Sequence, residues 1–261
     1  MGIVYHGSKE HGIKRIEPRT STHGTYVYAT PEKVLALNFS GRCGDDLTYD
    51  IGRLDNNGPW ELVENIPGAF EKMFANSSSI YSFSDETFKN IHTGFEEVVS
   101  EVAVDVINEE FCENVYDALL EAEKEGLVKI YRYPNKPNWM KQDGSNILDK
   151  WRIYKNKLNM NFGKNEFDRL VCLHPELLTK INDLSKELGY NYFYQPNDLI
   201  TIFKLRIERQ LADIEYEQYI DSAYISICNS FPELTLEIDK LYQYYKNSIK
   251  NVNSIGTSKK M

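Results

Sequence analysis

The pattern of apolar residues changes once along this chain, near residue 148, and that change limits the folds open to it. Before about residue 135, short runs rich in Val, Ile, Tyr and Thr alternate with Gly, Asn and Pro turns. Such runs read as strands. The clearest is 95–106, where Val98, Val102, Val104 and Val106 fall on one face and Glu97, Glu101 and Asp105 on the other. Residues 108–124 place Phe111, Val115, Leu119 and Ala122 at helical spacing, closed by Gly126. Residues 127–133 return to a strand that ends at Pro134. Residues 136–148 read as a linker. Beyond them the pattern is helical: 175–188, 197–227 as one or two helices, and 232–252, with Leu234, Ile238, Leu241, Tyr245 and Ile249 on one stripe. The expectation is an α+β protein with a strand-rich domain over 1–148, an all-helical domain over 149–252 and a loose polar tail over 253–261.

Composition removes several function classes. The 261 residues carry a net charge of -9, whereas a dedicated nucleic-acid binder needs a basic surface to neutralise phosphates. Tyr216, Tyr219, Tyr224, Tyr242, Tyr244 and Tyr245 lie among acids, so they read as helix packing rather than a base-stacking platform. Cys43, Cys112, Cys172 and Cys228 are widely separated and form no C-x-x-C pair, which argues against zinc. Asp45, Asp46 and Asp50 lack the spacing and closing Glu of a calcium loop. No apolar run approaches the ~20 residues that span a bilayer. The N-terminus enters a strand directly, without a signal peptide's basic start and apolar run. The expectation is a reduced cytoplasmic protein that makes no membrane contact; export by a route without a signal peptide stays open.

The residues with most chemistry are at the start. Ile3-Val4-Tyr5-His6-Gly7-Ser8 reads as a short strand ending on a histidine and a Gly-Ser turn. A polar loop follows over 9–22, with Lys9, Lys14, Arg15 and Arg19; it reads as a solvated loop, or as a contact for pyrophosphate. Thr22-His23-Gly24-Thr25-Tyr26-Val27-Tyr28-Ala29-Thr30 is a second strand, entered through Gly24, with Tyr26 and Tyr28 on one face. Thr30 as N-cap, Pro31 and Glu32 then open a helix with an apolar side at Val34, Leu35, Ala36, Leu37 and Phe39. Residues 41–60 read as polar loops around a short strand at 47–51, residues 76–79 as a loop tip, and 80–83 as a strand.

In order and spacing, the Tyr-His-Gly-Ser start, the Gly-x-Tyr-x-Tyr-Ala-Thr strand, the helix over 31–40 and the strand near Glu97 resemble the ADP-ribosyltransferase superfamily. The branch they are most similar to carries a His, Tyr, Glu triad, as in diphtheria toxin and the poly(ADP-ribose) polymerases. The resemblance covers about the first third of the chain plus the segment at Glu97. It implies a split β-sandwich that binds NAD⁺ and transfers ADP-ribose to a macromolecule, protein or nucleic acid, or hydrolyses NAD⁺.

Carried over residue by residue, the resemblance makes His6, Tyr28 and Glu97 the catalytic set. His6, Gly7, Ser8, Tyr26, Tyr28 and Phe39 become the NAD⁺-binding set, with no metal. Tyr26 is the alternate to Tyr28, and Glu96 to Glu97. The arginine-modifying branch has Glu or Gln two residues before the catalytic Glu; here Phe95 occupies that position. The several arginines of the tRNA 2′-phosphotransferases are missing as well. A toxin or defence factor is the setting this suggests, with an inhibitor or antitoxin protein as partner. The competing class is a catalytically inactive, transferase-like module that binds a nucleotide or a partner protein, and the position of Glu97 relative to His6 discriminates the two.

Overall fold

The computed structural model describes residues 2–21, 24–41, 44–55, 58–92, 96–213 and 216–257. Thr22, His23, Cys43 and Phe95, named above, and residues 258–261 of the expected loose tail lie outside them. Helix and strand are mixed, with several small sheets. In chain order, the elements begin with β1 (Ile3–Ser8), β2 (Arg15–Ile16), β3 (Arg19–Ser21), β4 (Gly24–Ala29) and α1 (Lys33–Phe39). Next are β5 (Tyr49–Gly52), β6 (Trp60–Glu64), α2 (Ala69–Phe74), β7 (Ser78–Ser84), β8 (Val98–Ser100) and β9 (Val104–Asp105). After them come β10 (Asn108–Cys112), α3 (Val115–Lys124) and β11 (Val128–Tyr131). The remainder is helical: α4 (Asn146–Leu158), α5 (Lys164–Leu173), α6 (Leu178–Glu187), α7 (Asp198–Ala212), α8 (Ile220–Ser230) and α9 (Thr235–Thr257). The sheets have the orders β1–β7–β10, β11–β6–β5, β2–β9 and β3–β4–β8. Among the described residues no helix is long and apolar enough to cross a membrane.

The residues group into two compact units. One comprises Met1–Gly44, Ile51–Leu62 and Phe70–Ile130; the other comprises Asp45–Asp50, Val63–Ala69 and Tyr131–Met261. In the first, β1 lies antiparallel to β7 with His6 opposite Tyr81. A single backbone bridge, Tyr5 N–H to the Thr30 carbonyl at 2.7 Å and Thr30 N–H to the Tyr5 carbonyl at 2.8 Å, ties β1 to the end of β4. Val4, Ile16, Val27, Ala29, Tyr81, Phe83 and Val104 form the core beneath these strands. Helix α1 buries Leu35 with Trp60, Ala122 and Val128 in a second cluster.

In the second unit, α5, α7, α8 and α9 bury Phe167, Phe203, Ile207, Ile220, Ile227 and Ile238. Trp151 stacks on Phe162 at 4.2 Å between ring centroids. Burying these helix stripes is the main source of stability for such elements.

Several local expectations give way to tertiary pairing. The strand expected over 95–106 is interrupted: the Ser100 hydroxyl donates to the Val102 carbonyl at 2.9 Å and accepts its N–H at 3.3 Å. Such side chain–backbone bonds compete with a sheet ladder. The chain bends, β9 pairs with β2 instead, and Val102 is exposed. The helix expected from 108 begins at Val115, where Asn114 accepts from the Tyr116 and Asp117 N–H groups. Residues 108–112 pair with β7 as a strand, leaving Phe111 exposed.

Glu32, not Thr30, is the N-cap of α1; the Thr30 hydroxyl accepts from the Glu32 N–H at 3.1 Å. Ser78 and Ser79 are fully buried in β7 rather than at a loop tip. The polar loop over 9–22 contains β2 and β3, and α4 starts inside the expected linker.

Candidate active site

The site is built from the point where β1, β4, α1 and the entry to β8 meet. Antiparallel register sets Val27, Tyr28 and Ala29 opposite Ser100, Val99 and Val98. Glu97, one residue ahead of β8, therefore arrives beside the end of β4. Helix α1 approaches β1 so closely that only glycine fits at position 7: a Cβ there would lie 2.0 Å from the Ala36 carbonyl oxygen. That contact brings Phe39, at the end of α1, next to His6.

The result is a cavity of about 170 Å³ lined by Tyr5, His6, Gly7, Tyr28, Ala29, Thr30, Ala36, Phe39 and Glu97. A cavity of ~150 Å³ accepts one benzene molecule, so this one accommodates a single six-membered ring, not a dinucleotide. Of the residues singled out by sequence, His6, Gly7, Tyr28, Phe39 and Glu97 line it. Ser8 does not; its hydroxyl accepts from the Glu10 N–H at 3.1 Å. Tyr26 does not either. Its ring meets Tyr28 edge-on at 6.0 Å and braces it from the side.

Polar groups around the cavity are underused. Burial is the main cause that lowers the pKa of His6; Arg19 adds to it and the hydrogen bond to Tyr28 opposes it. The ring is thus neutral near pH 7. Its Nδ1 lies 2.8 Å from the Tyr28 carbonyl oxygen, which can only accept, so the proton sits on Nδ1. Nε2 is left with a lone pair.

The Tyr28 hydroxyl is fully buried and has no hydrogen-bond partner among the described residues. An orphaned buried hydroxyl costs about 1–3 kcal/mol, and such a group calls for an explanation. Glu97 also has no ion-pair or hydrogen-bond partner among the described residues. Glu96, by contrast, is held by Arg53 at 3.1 Å.

Arg53 is a residue the sequence did not bring forward. Its guanidinium lies 4.3 Å over the Trp60 ring and reaches Glu32 at 2.9 Å as well as Glu96. Trp60 Nε1 donates to the same Glu32 carboxylate at 2.6 Å. One planar cation thus joins the start of α1 to the residue before Glu97, fixing two walls of the cavity. Its partners stand 21 and 43 residues away along the chain, beyond any local pattern.

Larger hollows exist. A cleft of about 750 Å³ in the second unit runs past Asn182, Phe193, Tyr194 and Phe231. Its size suits a ligand better, but Asn182 spends its amide on the Tyr194 backbone. The small cavity is the stronger candidate because the Tyr28 hydroxyl, the Glu97 carboxylate and His6 Nε2 have no partner among the described residues. Among the described residues no group of three or more His, Cys, Asp or Glu side chains is placed to hold a metal ion. No protein-family model, no curated protein and no solved structure matches this chain.

Proposed function

We propose that the chain is an NAD⁺-dependent ADP-ribosyltransferase of the His, Tyr, Glu kind, with its first unit as the split β-sandwich of that superfamily. The observation that carries this reading is one cavity, sized for one aromatic ring, lined by His6, Tyr28, Phe39 and Glu97 from distant parts of the chain. The Tyr28 hydroxyl and His6 Nε2, which have no partner among the described residues, support this reading as hydrogen-bonding capacity open to a ligand.

In this reading the nicotinamide ring enters between Tyr28 and Phe39, and the ribose and ADP half extend out of the cavity. His6 Nε2 accepts from a ribose hydroxyl. The bond from ribose C1′ to the nicotinamide nitrogen breaks with both electrons going to the ring, which leaves neutral. Positive charge develops on the sugar, as in glycoside cleavage. The Glu97 carboxylate stabilises that charge and orients the attacking acceptor or water. The helical segment serves acceptor choice, the acceptor being a macromolecule of the cytoplasm.

The test is calorimetry with NAD⁺ and chromatographic measurement of released nicotinamide, for the parent and Glu97→Gln. Release by Glu97→Gln should fall by roughly two orders of magnitude or more while NAD⁺ binding is kept. A parent that fails to bind NAD⁺ refutes the reading. A parent that binds NAD⁺ without releasing nicotinamide is a binding module instead.

A further inference from the structure

A second cavity, of about 200 Å³, lies wholly within the other unit and is lined by Tyr133, Lys136, Asp143, His174 and Glu176 among others. Lys136 is the amine in its wall. The Lys136 Nζ makes one long hydrogen bond, 3.3 Å to the neutral Asn65 amide oxygen. No carboxylate among the described residues lies within ion-pair distance of it.

The two aspartates nearby are committed elsewhere. Asp50 is taken by Lys150, Asn65 and Asn146. Asp143 is taken by Lys180 and by Ser145. Glu176 faces the buried His174 at 3.3 Å, whose other nitrogen donates to the Leu47 carbonyl at 2.7 Å. Pro137 follows Lys136 and restricts its backbone to extended conformations. This lysine is held in place without being neutralised.

We propose that Lys136 is an amine nucleophile that captures small neutral aldehydes or ketones in this cavity as an imine. The Nζ lone pair attacks the carbonyl carbon, and the amine proton passes by way of Glu176 to the carbonyl oxygen. The carbinolamine then takes a second proton from Tyr133 and expels water. Loss of the remaining N–H proton returns the phenol to its starting state, so amine plus carbonyl gives imine plus water and no oxidant or cofactor is consumed.

The electrostatics support this chemistry. Burial lowers the pKa of Lys136, opposed by Asp50, Glu176 and Asp143, and so enlarges the unprotonated fraction. Burial, with Glu176 adding to it, raises that of Tyr133, which keeps its proton to give. Size and charge define the ligand. A space near that of a benzene-binding cavity holds about six heavy atoms. Asp143 and Glu176 in the wall repel a carboxylate, so the carbonyl compound is uncharged. The site uses none of the residues around the first cavity, so it stands or fails apart from the NAD⁺ reading.

The experiment uses the intact chain with propanal, and separately with glyoxylate, in the presence of cyanoborohydride at near-neutral pH. Each lysine is scored by peptide mass spectrometry. With propanal, Lys136 should be alkylated severalfold faster than the average lysine, because its lowered pKa enlarges the fraction of free amine. The N-terminal amine is excluded from that average. In urea the preference should vanish. With glyoxylate, Lys136 should show no preference. Uniform labelling by propanal overturns the proposal, and so does preferential labelling of Lys136 by glyoxylate alone.

Discussion

Gly7→Ala tests how the first cavity is assembled. The added Cβ would stand 2.0 Å from the Ala36 carbonyl oxygen and 2.9 Å from both the Ala36 carbonyl carbon and the Ser40 Cβ. Ordinary contacts begin at 3.4 Å, so α1 must retreat from β1 by more than an ångström. The obstacle is backbone and cannot rotate aside. Leu35 and Ala36, both almost fully buried, move with it. Overpacking of a dense core costs about 1–3 kcal/mol, and a backbone clash belongs at the upper end. About 3 kcal/mol corresponds to a roughly 100-fold rise in opening.

Hydrogen exchange by mass spectrometry reads this directly in peptides covering β1 and α1, with α7 as the internal reference. Gly12→Ala is the control: its φ is +73° but nothing lies within 4 Å, so only the left-handed backbone cost of about 1–2 kcal/mol applies. If Gly7→Ala leaves exchange in β1 and α1 within a few-fold of the parent, the close approach is not what sets Phe39 beside His6.

Three further outcomes follow from the same geometry. Tyr28→Phe removes an orphaned hydroxyl and should stabilise the ligand-free chain by about 1 kcal/mol while weakening NAD⁺ binding; thermal unfolding and calorimetry check it, and a destabilised variant would mean the hydroxyl is bonded. Arg53→Lys keeps the charge but cannot reach Glu32 and Glu96 together while stacking on Trp60, so it should cost about 2 kcal/mol in urea unfolding and lower kcat for nicotinamide release with little change in KM. His6 titrates below its ordinary 6.5 in the fold, so between the lowered value and 6.5 the unfolded chain binds the extra proton. Its stability contribution is complete above 6.5, declines as pH falls through that window and then levels off. Urea midpoints from about pH 8 to pH 5 should therefore fall more steeply for the parent than for His6→Gln.

Local chemistry wrote much of this protein into its sequence. The apolar start of 3–8 and the Tyr, Val and Thr of 24–29 favour strands, and β1 and β4 span them. Leu234, just ahead of α9, and Ile238 and Tyr245 within it are buried, as the spacing of that stripe demands. Tyr26 and Tyr28 meet because alternate side chains on a strand share a face. Other features depended on partners remote in sequence. Residues 108–112 carry a helical periodicity but become β10, because β7 offers a ladder that satisfies their backbone groups. Glu96 and Glu97 are adjacent acids, of which the sequence favours Glu97 and keeps Glu96 as the alternate. Arg53 takes the first into an ion pair and leaves the second at the cavity, a distinction set by a guanidinium 43 residues away along the chain. The amine at Lys136 is likewise an ordinary loop lysine in sequence. Only folding shields it partly from water and leaves it without a carboxylate partner among the described residues, because desolvation and ion pairing are properties of the packed neighbourhood and not of the residue.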